Sequence, residues 1–582
     1  MILLAIASCL LFFITYFTGI YTEHLLKKFL PVNFTANFFE VFLLGLMACY
    51  VYFNLLSFFV PVNYITLLPL LLISASVFSK KNIRQDFFTR TGRVARLFFS
   101  KKNLPFIIPF IALLFLYWII PPQNIDSGEY HYIAIRWYEQ FKIVPGLANV
   151  HGRLAFNPAS FIISAAWSFT DITGQSLYPL NGVLVLLFFT WLIKKVLVKN
   201  FTILRLTILI LIILLFRISL VNVSSPSSDL LSGILLFYCG FRTYELIKEG
   251  KNDFGDYFPV LAFACFAVTA KLSAIPALLI IPFIYFILIK KNKQFGIILK
   301  CLILAALLML PWLVRNFLLS GYLLYPIPAT GFFKADWKVP HNVIQLDYIF
   351  TRYGPRTITV DFFTMQKMNL FQLTKVWFDY LAANSLSSLL ITFASFLSPV
   401  VWLFFPLLKK RIPVKSFLLW CIYYFCICIW LLNSPEHRFG LPYLALAAGL
   451  PLLEIIQTIP LQWKISPVIF FAVFWICCWH YAADVLKRNA MYSFSIHDCW
   501  LKPLRDRRYF TKNNLSDFPS VNLGNGVKLY LADKNHECLN ANGPCMNWRY
   551  GEIEMRGTKI EEGFRSKKDE VKLFFPFVDA NE

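Results

Sequence analysis

Six side chains suited to chemistry lie between positions 126 and 157, just after a long apolar run. They are Asp126, Glu129, His131, His151, Arg153 and Asn157. The carboxylate of Asp126 comes six residues after the apolar run ends at Ile120. A carboxylate at such an edge can accept a proton from a substrate hydroxyl, which is the work of a general base. The same carboxylate is equally suited to cap the helix that begins near Glu129.

The acidic and histidine residues of this stretch also allow a second chemistry. Asp126, Glu129 and His131 combine ligand types that bind divalent metals, so Glu129 and His131 are candidates for a catalytic or a metal-binding role. The polar residues further along, His151, Arg153 and Asn157, are predicted to contact the substrate.

A second set of charges stands where other apolar runs end. It comprises Asp229 after SSPSS, Lys271 in VTAKLSAIP, Arg315 in PWLVRN, and His437 with Arg438 in SPEHRFGLP. Each charge would cost about 2.5–3.5 kcal/mol in hydrocarbon, so several of them at one level favour a shared polar pocket. Arginine binds phosphate oxygens through a planar fork, and lysine binds them as a point charge. The lysine and the two arginines of this set are therefore predicted to line one anion-binding pocket with Arg153. The alternative for each is a membrane anchor that reaches the lipid headgroups.

The composition indicates which elements hold these residues. Of 582 residues, 58% are hydrophobic and only 15% are charged, whereas soluble domains carry about 25% charged residues. No soluble fold can hide so much apolar surface, and a disordered chain is excluded for the same reason. The net charge of +23 sits mostly in short loops, which indicates membrane topology rather than a nucleic-acid partner.

The apolar runs predict an all-α polytopic membrane protein with about fourteen transmembrane helices, since a span needs about 20 apolar residues. The predicted spans are 2–20, 38–60, 63–78, 104–120, 176–193, 206–222, 229–247, 257–271, 273–289, 296–314, 384–407, 414–432, 439–457 and 465–483. The first is expected to be a retained helix, because no basic segment precedes it. The strongly basic loops are 80–102, 194–205, 290–293 and 409–415. They all fall on one side, which is predicted to be cytoplasmic, so both termini are expected outside.

The chain divides into accessory N-terminal helices with a basic loop at 1–103, a transmembrane catalytic core at 104–483, and an extracytoplasmic module at 484–582. In the first outer loop, 130–142 and 156–170 are predicted to be interfacial helices, although 156–170 is also compatible with a true span. Alternating runs at 527–533 and 571–577 predict a small α/β or mostly β module.

Three cysteines lie in the polar tail, which is expected to face an oxidising compartment. They are Cys499, Cys538 and Cys545. The sequence predicts a disulfide between Cys538 and Cys545, or from one of them to Cys499.

Several short motifs, taken in order, resemble the GT-C superfamily of integral-membrane glycosyltransferases. They are Asp126 in the first large outer loop, SSPSSD at 224–229, AKLSAIP at 270–276, PWLVRN at 311–316 and HRFGLP at 437–442. The strings DSGEYHY, VPGLANVHGRLAFNPASF at 144–161 and CLNANGPC at 538–545 also resemble a bacterial family of polytopic proteins from surface-polysaccharide gene clusters. No P-loop, G-x-G-x-x-G after a strand, H-E-x-x-H or G-x-S-x-G motif is present in the sequence.

The resemblance implies a GT-C-like core that moves a sugar from a polyprenyl-phosphate carrier to a glycan, lipid or protein acceptor, with inversion, in cell-surface polysaccharide biosynthesis. It implies that Asp126 is the catalytic base and that Lys271, Arg315 or Arg438 binds the donor phosphate. A divalent metal is compatible with the resemblance but not required, since no clear D-x-D stands in the outer loop. The expected location is a bacterial inner membrane, with the site and the tail facing the periplasm. The alternatives are a polysaccharide polymerase or ligase, and a transporter of lipid-linked glycans.

Overall fold

The computed structural model describes most of the transmembrane region and parts of the tail. The described residues are 1–30, 34–101, 103–120, 122, 124, 126–196, 203–288, 295–357, 360–408, 410–458, 466–492, 501, 519–523, 527–531, 545–546 and 552–568. The helices of the first half are α1 (Ile2–Phe29), α2 (Phe38–Leu56), α3 (Leu67–Ser79), α4 (Lys81–Phe98), α5 (Leu104–Ile119), α6 (Tyr132–Gln140), α7 (Ala159–Ala166), α8 (Thr170–Thr173), α9 (Leu180–Val196), α10 (Ile203–Asn222), α11 (Asp229–Lys248), α12 (Phe254–Ala270) and α13 (Ile280–Leu288). Those of the second half are α14 (Phe295–Ser320), α15 (His341–Tyr353), α16 (Phe362–Lys367), α17 (Leu370–Asn384), α18 (Leu386–Phe396), α19 (Ser398–Leu407), α20 (Val414–Asn433), α21 (His437–Thr458) and α22 (Pro467–Tyr492).

The chain is a helical membrane protein, but the prediction of fourteen spans is wrong for the described residues. Six helices are long and apolar enough to cross a bilayer: α1, α2, α11, Ile298–Ser320 of α14, α20 and His437–Gln457 of α21. Two bent pairs raise the number to eight at most. These pairs are Tyr64–Ser79 with Lys81–Arg96, bent by 94°, and Leu386–Phe396 with Ser398–Leu407, bent by 43°.

Several of the surplus spans are helices that are too short to cross alone. Leu104–Ile119, Phe254–Ala270 and Leu272–Leu288 have 17 residues or fewer. At about 1.5 Å per residue they reach about 26 Å, less than the hydrocarbon core of about 30 Å. Their apolar residues pack against neighbouring helices, as in α12, where the core residues include Phe263 and Phe266. Hydropathy does not distinguish a helix buried in protein from one buried in lipid.

The helix ends form two opposite faces of the bundle. On one face, Glu40 contacts Tyr238, Lys195 contacts Glu245 and Lys248 contacts Glu454. We call this the basic face, because the described residues of loops 80–102, 194–205 and 409–415 also join helix ends there. The opposite ends carry Ser57, Asp126, Asp229, Lys271 and Arg438, and we call them the site face. Loop 290–293 lies outside the described residues.

The first outer loop contains the predicted helices, but they lie inside the protein rather than at an interface. A π-helical turn, Ser127–His131, leads into α6, and nearly all of α6 and α7 is buried. Arg136 and Glu139 of α6 form an ion pair with each other in this interior. The eight residues of α7 span about 12 Å, which excludes a true transmembrane segment at 156–170.

The described part of the tail forms two small sheets, which agrees with the predicted sheet-containing module. The strands are β1 (Ser520–Asn522), β2 (Lys528–Leu531), β3 (Cys545–Met546), β4 (Ile553–Met555) and β5 (Phe564–Ser566). Strand β2 pairs antiparallel with β1 and parallel with β3, and β4 pairs antiparallel with β5. The run at 571–577 lies outside the described residues.

The hairpin of β4 and β5 rests on the outer loops of the helical region. The backbone N–H of Phe564 donates to the carbonyl of Pro145 at 2.9 Å, and Arg556 pairs with Asp336 at 2.7 Å. Cys545 is disulfide-bonded. Both candidate partners, Cys538 and Cys499, lie outside the described residues, so the pairing stays a prediction.

Helices α1 and α2 approach each other closely through glycine. A Cβ added to Gly45 would overlap the carbonyl oxygen of Thr15, and one added to Gly19 would overlap that of Val41. Small residues at such a crossing let helix backbones meet inside a membrane.

We expect Gly45→Ala to destabilise the protein, because the new methyl group must push two helix backbones apart. Overpacking of this kind costs about 1–3 kcal/mol. The melting temperature of the detergent-purified chain measures the effect. Gly92→Ala is the control, since a Cβ there meets nothing within 4 Å and should leave stability unchanged or slightly higher. Equal melting temperatures for the two variants would contradict this packing argument.

Candidate functional site

Asp126 stands at the start of the π-helical turn on the site face. Its side chain makes no capping hydrogen bond, so the capping role proposed from the sequence is wrong. Instead, its Oδ2 accepts a hydrogen bond from Nη2 of Arg438 at 2.5 Å. Its Oδ1 lies 3.6 Å from Nη1 of Arg153, which also pairs with Glu129. The carboxylate therefore faces two cations rather than its own helix.

The turn that carries Asp126 is fastened to the segment that begins α11. The hydroxyls of Ser127 and Ser225 are hydrogen-bonded at 2.7 Å. The side-chain amide of Asn181 donates to the carbonyls of Ser225 and Ser227, at 2.7 and 3.0 Å. These hydrogen bonds provide partners for buried polar groups of SSPSSD. They also place Asp229 next to the turn that carries Asp126.

Arg438 joins three carboxylates from distant parts of the chain. Its Nη2 binds Asp126, and its Nε lies 3.5 Å from Oδ2 of Asp229 and 3.6 Å from Oε1 of Glu436. Lys271 also pairs with Asp229. The Nζ atom of Lys271 lies 3.1 Å from the centroid of the Phe439 ring, a cation–π contact.

These residues form what we call the carboxylate–cation cluster. Its members are Asp126, Glu129, Asp229, Glu436, Arg153, Lys271 and Arg438. The cluster holds one more carboxylate than cations. The sequence prediction of an open anion pocket therefore needs correction, because each cation already faces a carboxylate of the protein. All side chains except that of Asp229 are 21–32% exposed, so the cluster is open to an incoming group.

Arg315 and Asn157 lie in a different cluster, so the prediction that Arg315 shares the pocket is wrong. The Arg315 guanidinium lies 4.4 Å from the centroid of the Tyr138 ring and donates to the Ser57 hydroxyl. The Tyr138 hydroxyl donates to Asn157, whose amide donates to Asn316 at 2.9 Å. Arg315 and Arg438 therefore have different partners, although both stand at outer helix ends.

The histidines lie beside the cluster or away from it. His131 packs between the rings of Tyr130 and Phe161, and burial lowers its pKa to about 4 despite the nearby charge of Asp126. His151 is fully buried and accepts from the backbone N–H of Arg153 at 3.1 Å. Burial and the charge of Arg153 lower the pKa of His151 well below its ordinary value. His437 faces the backbone of Ser388 rather than the cluster.

The described residues hold no group of three or more His, Cys, Asp or Glu side chains arranged to bind a metal ion. Glu129 instead pairs with Arg153, and His131 turns into an aromatic environment. The metal-binding alternative for Glu129 and His131 therefore gains no geometric support.

The charges around Asp126 decide its acidity. Burial alone would raise the pKa of this carboxyl, but the positive charges of Arg438 and Arg153 outweigh it and hold the pKa below its ordinary value. Asp126 is therefore ionised at neutral pH and is a weak base while Arg438 remains in contact. Burial raises the pKa of Glu436, which Arg438 opposes.

An apolar groove runs from the cluster down between helices α9, α10, α11 and α21. Asp229 and Arg438 lie at its polar end, and its wall includes Phe188, Leu215 and Phe237. Asp229 and Phe237 are about 12 Å apart along α11 at the usual helical rise. A cationic and acidic cluster at the end of such a groove suits a ligand with a charged head and an apolar chain.

Sequence reasoning missed several contacts of the cluster. Phe439 directly follows Arg438 in HRFGLP, so the motif itself indicated that the Phe439 ring lies near the cluster. The Tyr130 ring, 5.2 Å from the Arg153 guanidinium, lies in the motif DSGEYHY. No sequence signal pointed to Asn181, the second residue of the apolar helix α9, whose side-chain amide donates to two backbone carbonyls.

Stability should depend on the Asp126–Arg438 pair in a pH-dependent way. A carboxyl whose pKa is lowered on folding stabilises the folded protein at pH values above its unfolded pKa of about 3.9. This stabilising free energy is lost as the pH falls through the pKa of the carboxyl in the folded protein. We expect Asp126→Asn to have a lower melting temperature than wild type at about pH 7. Below about pH 4 the melting temperatures of the two proteins should approach each other.

Asp253→Asn is the matched control, because Asp253 is exposed on the loop before α12. Its melting temperature should follow wild type at both pH values. A constant offset of Asp126→Asn across the whole pH range would show that its charge is not what stabilises the fold.

The comparisons with known proteins give a family but no activity. No curated protein matches the chain, and no solved structure matches it. The model of a family described as a domain of unknown function, DUF8201, matches residues 1–445. That range includes every residue of the carboxylate–cation cluster and most of the transmembrane helices. The chain therefore belongs to the DUF8201 family.

Proposed function

We propose that the chain is an integral-membrane glycosyltransferase that uses a polyprenyl-phosphate-linked sugar as donor, with Asp126 as general base. The observation that carries the proposal is the Asp126–Arg438 ion pair at the polar end of an apolar groove. Such a reaction needs three features: a partly exposed carboxylate, a nearby arginine and an apolar groove. The acceptor is a glycan, a lipid or a protein, and the expected process is surface-polysaccharide biosynthesis.

The groove supports a lipid-linked donor. Its walls between α9, α10, α11 and α21 are mostly apolar, and a Cβ added to Gly233 on its surface would meet nothing within 4 Å. The isoprenoid chain would lie along these walls. Its apolar surface would then be buried in a preformed pocket instead of in lipid. The phosphate would then stand near Arg438 and Lys271.

Donor binding would change the partners of the cations. The phosphate oxygens compete with Asp126 for Arg438 and with Asp229 for Lys271, because both cations are partly exposed. A phosphate that draws Arg438 away removes the main positive charge beside Asp126, and the carboxylate becomes a stronger base. The base would thus be activated only when the donor is present.

The transfer itself is a single displacement. The acceptor oxygen forms a bond to the anomeric carbon while its proton passes to the carboxylate of Asp126. The bond from the anomeric carbon to the phosphate oxygen breaks, and the polyprenyl phosphate leaves with the electron pair. Arg438 and Lys271 stabilise the negative charge that grows on that leaving group. Attack opposite the leaving group inverts the anomeric centre.

Two other functions compete with this one. A polysaccharide polymerase or ligase would use a lipid diphosphate in the same groove, without an obligatory carboxylate base. A transporter of lipid-linked glycans would place its charges near the bilayer midplane, whereas the cluster here stands at helix ends. The role of Asp126 separates the transferase from both.

We expect Asp126→Asn to lower sugar transfer by roughly 10²- to 10⁴-fold, because the proton acceptor is lost. The assay uses the purified full chain with a panel of polyprenyl-phosphate hexoses and pentoses, and measures release of polyprenyl phosphate. Binding of the same donors should persist. Arg438→Gln should weaken donor binding instead, which distinguishes the two roles.

Glu129→Gln is the matched control, since it removes a neighbouring carboxylate that pairs with Arg153. Loss of transfer in Glu129→Gln with an active Asp126→Asn would move the base to Glu129. Wild-type rates in both variants would rule out a carboxylate base and favour a polymerase or a transporter.

The proposed orientation places the basic face in the cytoplasm and the site face in the periplasm of a bacterial inner membrane. Its support is the excess of Lys and Arg in the loops of the basic face. Reporter fusions after Arg96, Lys195 and Lys410 should therefore report cytoplasm. A fusion after Lys568 should report periplasm, because the β4–β5 hairpin contacts the outer loops. A cytoplasmic signal from that last fusion would overturn this orientation.

A further inference from the structure

Helix α4 turns sharply away from the direction of α3 at the basic face. The chain bends by 94° between Tyr64–Ser79 and Lys81–Arg96. Arg90 anchors α4 to the α1–α2 connection, with Nη1 at 3.1 Å from Glu23 and 2.9 Å from the carbonyl of Ala36. If α3 runs along the membrane normal, α4 therefore runs roughly parallel to the membrane surface.

One side of α4 packs on the bundle. The Phe87 ring lies 4.7 Å from that of Phe17 and 5.7 Å from that of Tyr16. Ile83, one turn earlier, packs against the same core. At about 100° per residue, Ile83, Phe87 and Arg90 share one side of the helix.

The other side of α4 is strongly basic. Lys81, Arg84, Arg93 and Arg96 are all exposed, and they fall within about half of the helix circumference. None of them pairs with a carboxylate in the part of the chain that the structure describes, in contrast to Arg90. Phe88 projects among these cations and is 58% exposed, and Phe99 at the end of the helix is 78% exposed.

Exposed phenylalanine between unpaired cations fits a membrane surface better than bulk water. Aromatic rings enter the boundary between headgroups and acyl chains, and the lysine and arginine heads meet the phosphates above it. Each basic residue near an anionic bilayer adds attraction that falls off within a Debye length. The chemistry of this surface thus matches an anionic phospholipid headgroup.

We propose that the basic side of α4, formed by Lys81, Arg84, Arg93 and Arg96, is a binding site for anionic phospholipid headgroups. Phe88 and Phe99 insert beside it. This site is at the opposite face from the carboxylate–cation cluster and does not depend on the proposed transferase activity. It holds α4 on the membrane surface and couples the lipid composition of that leaflet to the packing of α1 and α3.

The test compares two quadruple variants of the full chain that each lose four positive charges. The first is K81Q/R84Q/R93Q/R96Q. The matched control is K142Q/K334Q/K367Q/K375Q, whose lysines are exposed outside α4. The detergent-purified proteins are titrated with mixed micelles that contain phosphatidylglycerol or, as the neutral lipid, phosphatidylcholine, and the binding affinity is measured at low and high salt.

Wild type and the control should bind phosphatidylglycerol with an affinity that falls as salt rises, and the α4 variant should bind at least about tenfold more weakly. Phosphatidylcholine should not distinguish the three proteins. Equal loss in both quadruple variants would mean that net charge alone attracts the lipid, and an unchanged α4 variant would also overturn the proposal. Phe88→Ser with the cations intact should weaken binding to a smaller extent.

Discussion

The compensation of charge at the outer helix ends is the constraint on which the rest of the site depends. Charges at the edge of hydrocarbon are costly unless they pair, and breaking a buried pair leaves an uncompensated charge. Arg438 meets this requirement by contacting Asp126, Asp229 and Glu436 together. These residues come from three connections that are far apart in sequence. The ion pairs therefore fix how the first outer loop, α11 and α21 stand relative to one another, in addition to forming the candidate site.

The same pairing would make the cluster responsive to the proposed donor. Carboxylates of the protein already pair with its cations. The net free energy gained by an incoming anion is therefore only the difference between its own pairing with a cation and the pairing that it replaces. Partial exposure of Arg438 and Lys271 keeps that exchange accessible, whereas Arg315 is buried beside Tyr138 and Ser57. The two arginines thus differ in their surroundings, because Arg438 is partly exposed among carboxylates and Arg315 is buried beside a tyrosine ring and a hydroxyl.

The sequence predicted the principal site residues better than it predicted the membrane topology. A charge beside an apolar run needs a partner, and this rule identified five residues from the sequence: Asp126, Arg153, Asp229, Lys271 and Arg438. The structure brings these five side chains together. Their pairing with one another could not be found, since ion-pair choice depends on the side of each helix that faces the bundle. Arg315 shows this limit: its spacing from the apolar run resembles that of Arg438, but α14 directs it towards Tyr138. Fourteen spans were overpredicted because short helices buried in protein carry the same apolar composition as helices in lipid.

The segregation of charge between the two faces gives each a separate physical task. On the basic face, Glu40, Glu245 and Glu454 already neutralise the cations at helix ends, and the surplus charge is gathered on the exposed side of α4. In the carboxylate–cation cluster on the site face the carboxylates exceed the cations by one, and an apolar groove opens beside them. A surplus of cations attracts headgroups without demanding a precise geometry, because the charge of a membrane surface is diffuse. For the proposed lipid-linked donor, a near-balanced cluster beside a groove would instead favour selective binding, since the anion would compete for the existing ion pairs and the apolar chain would fill the groove.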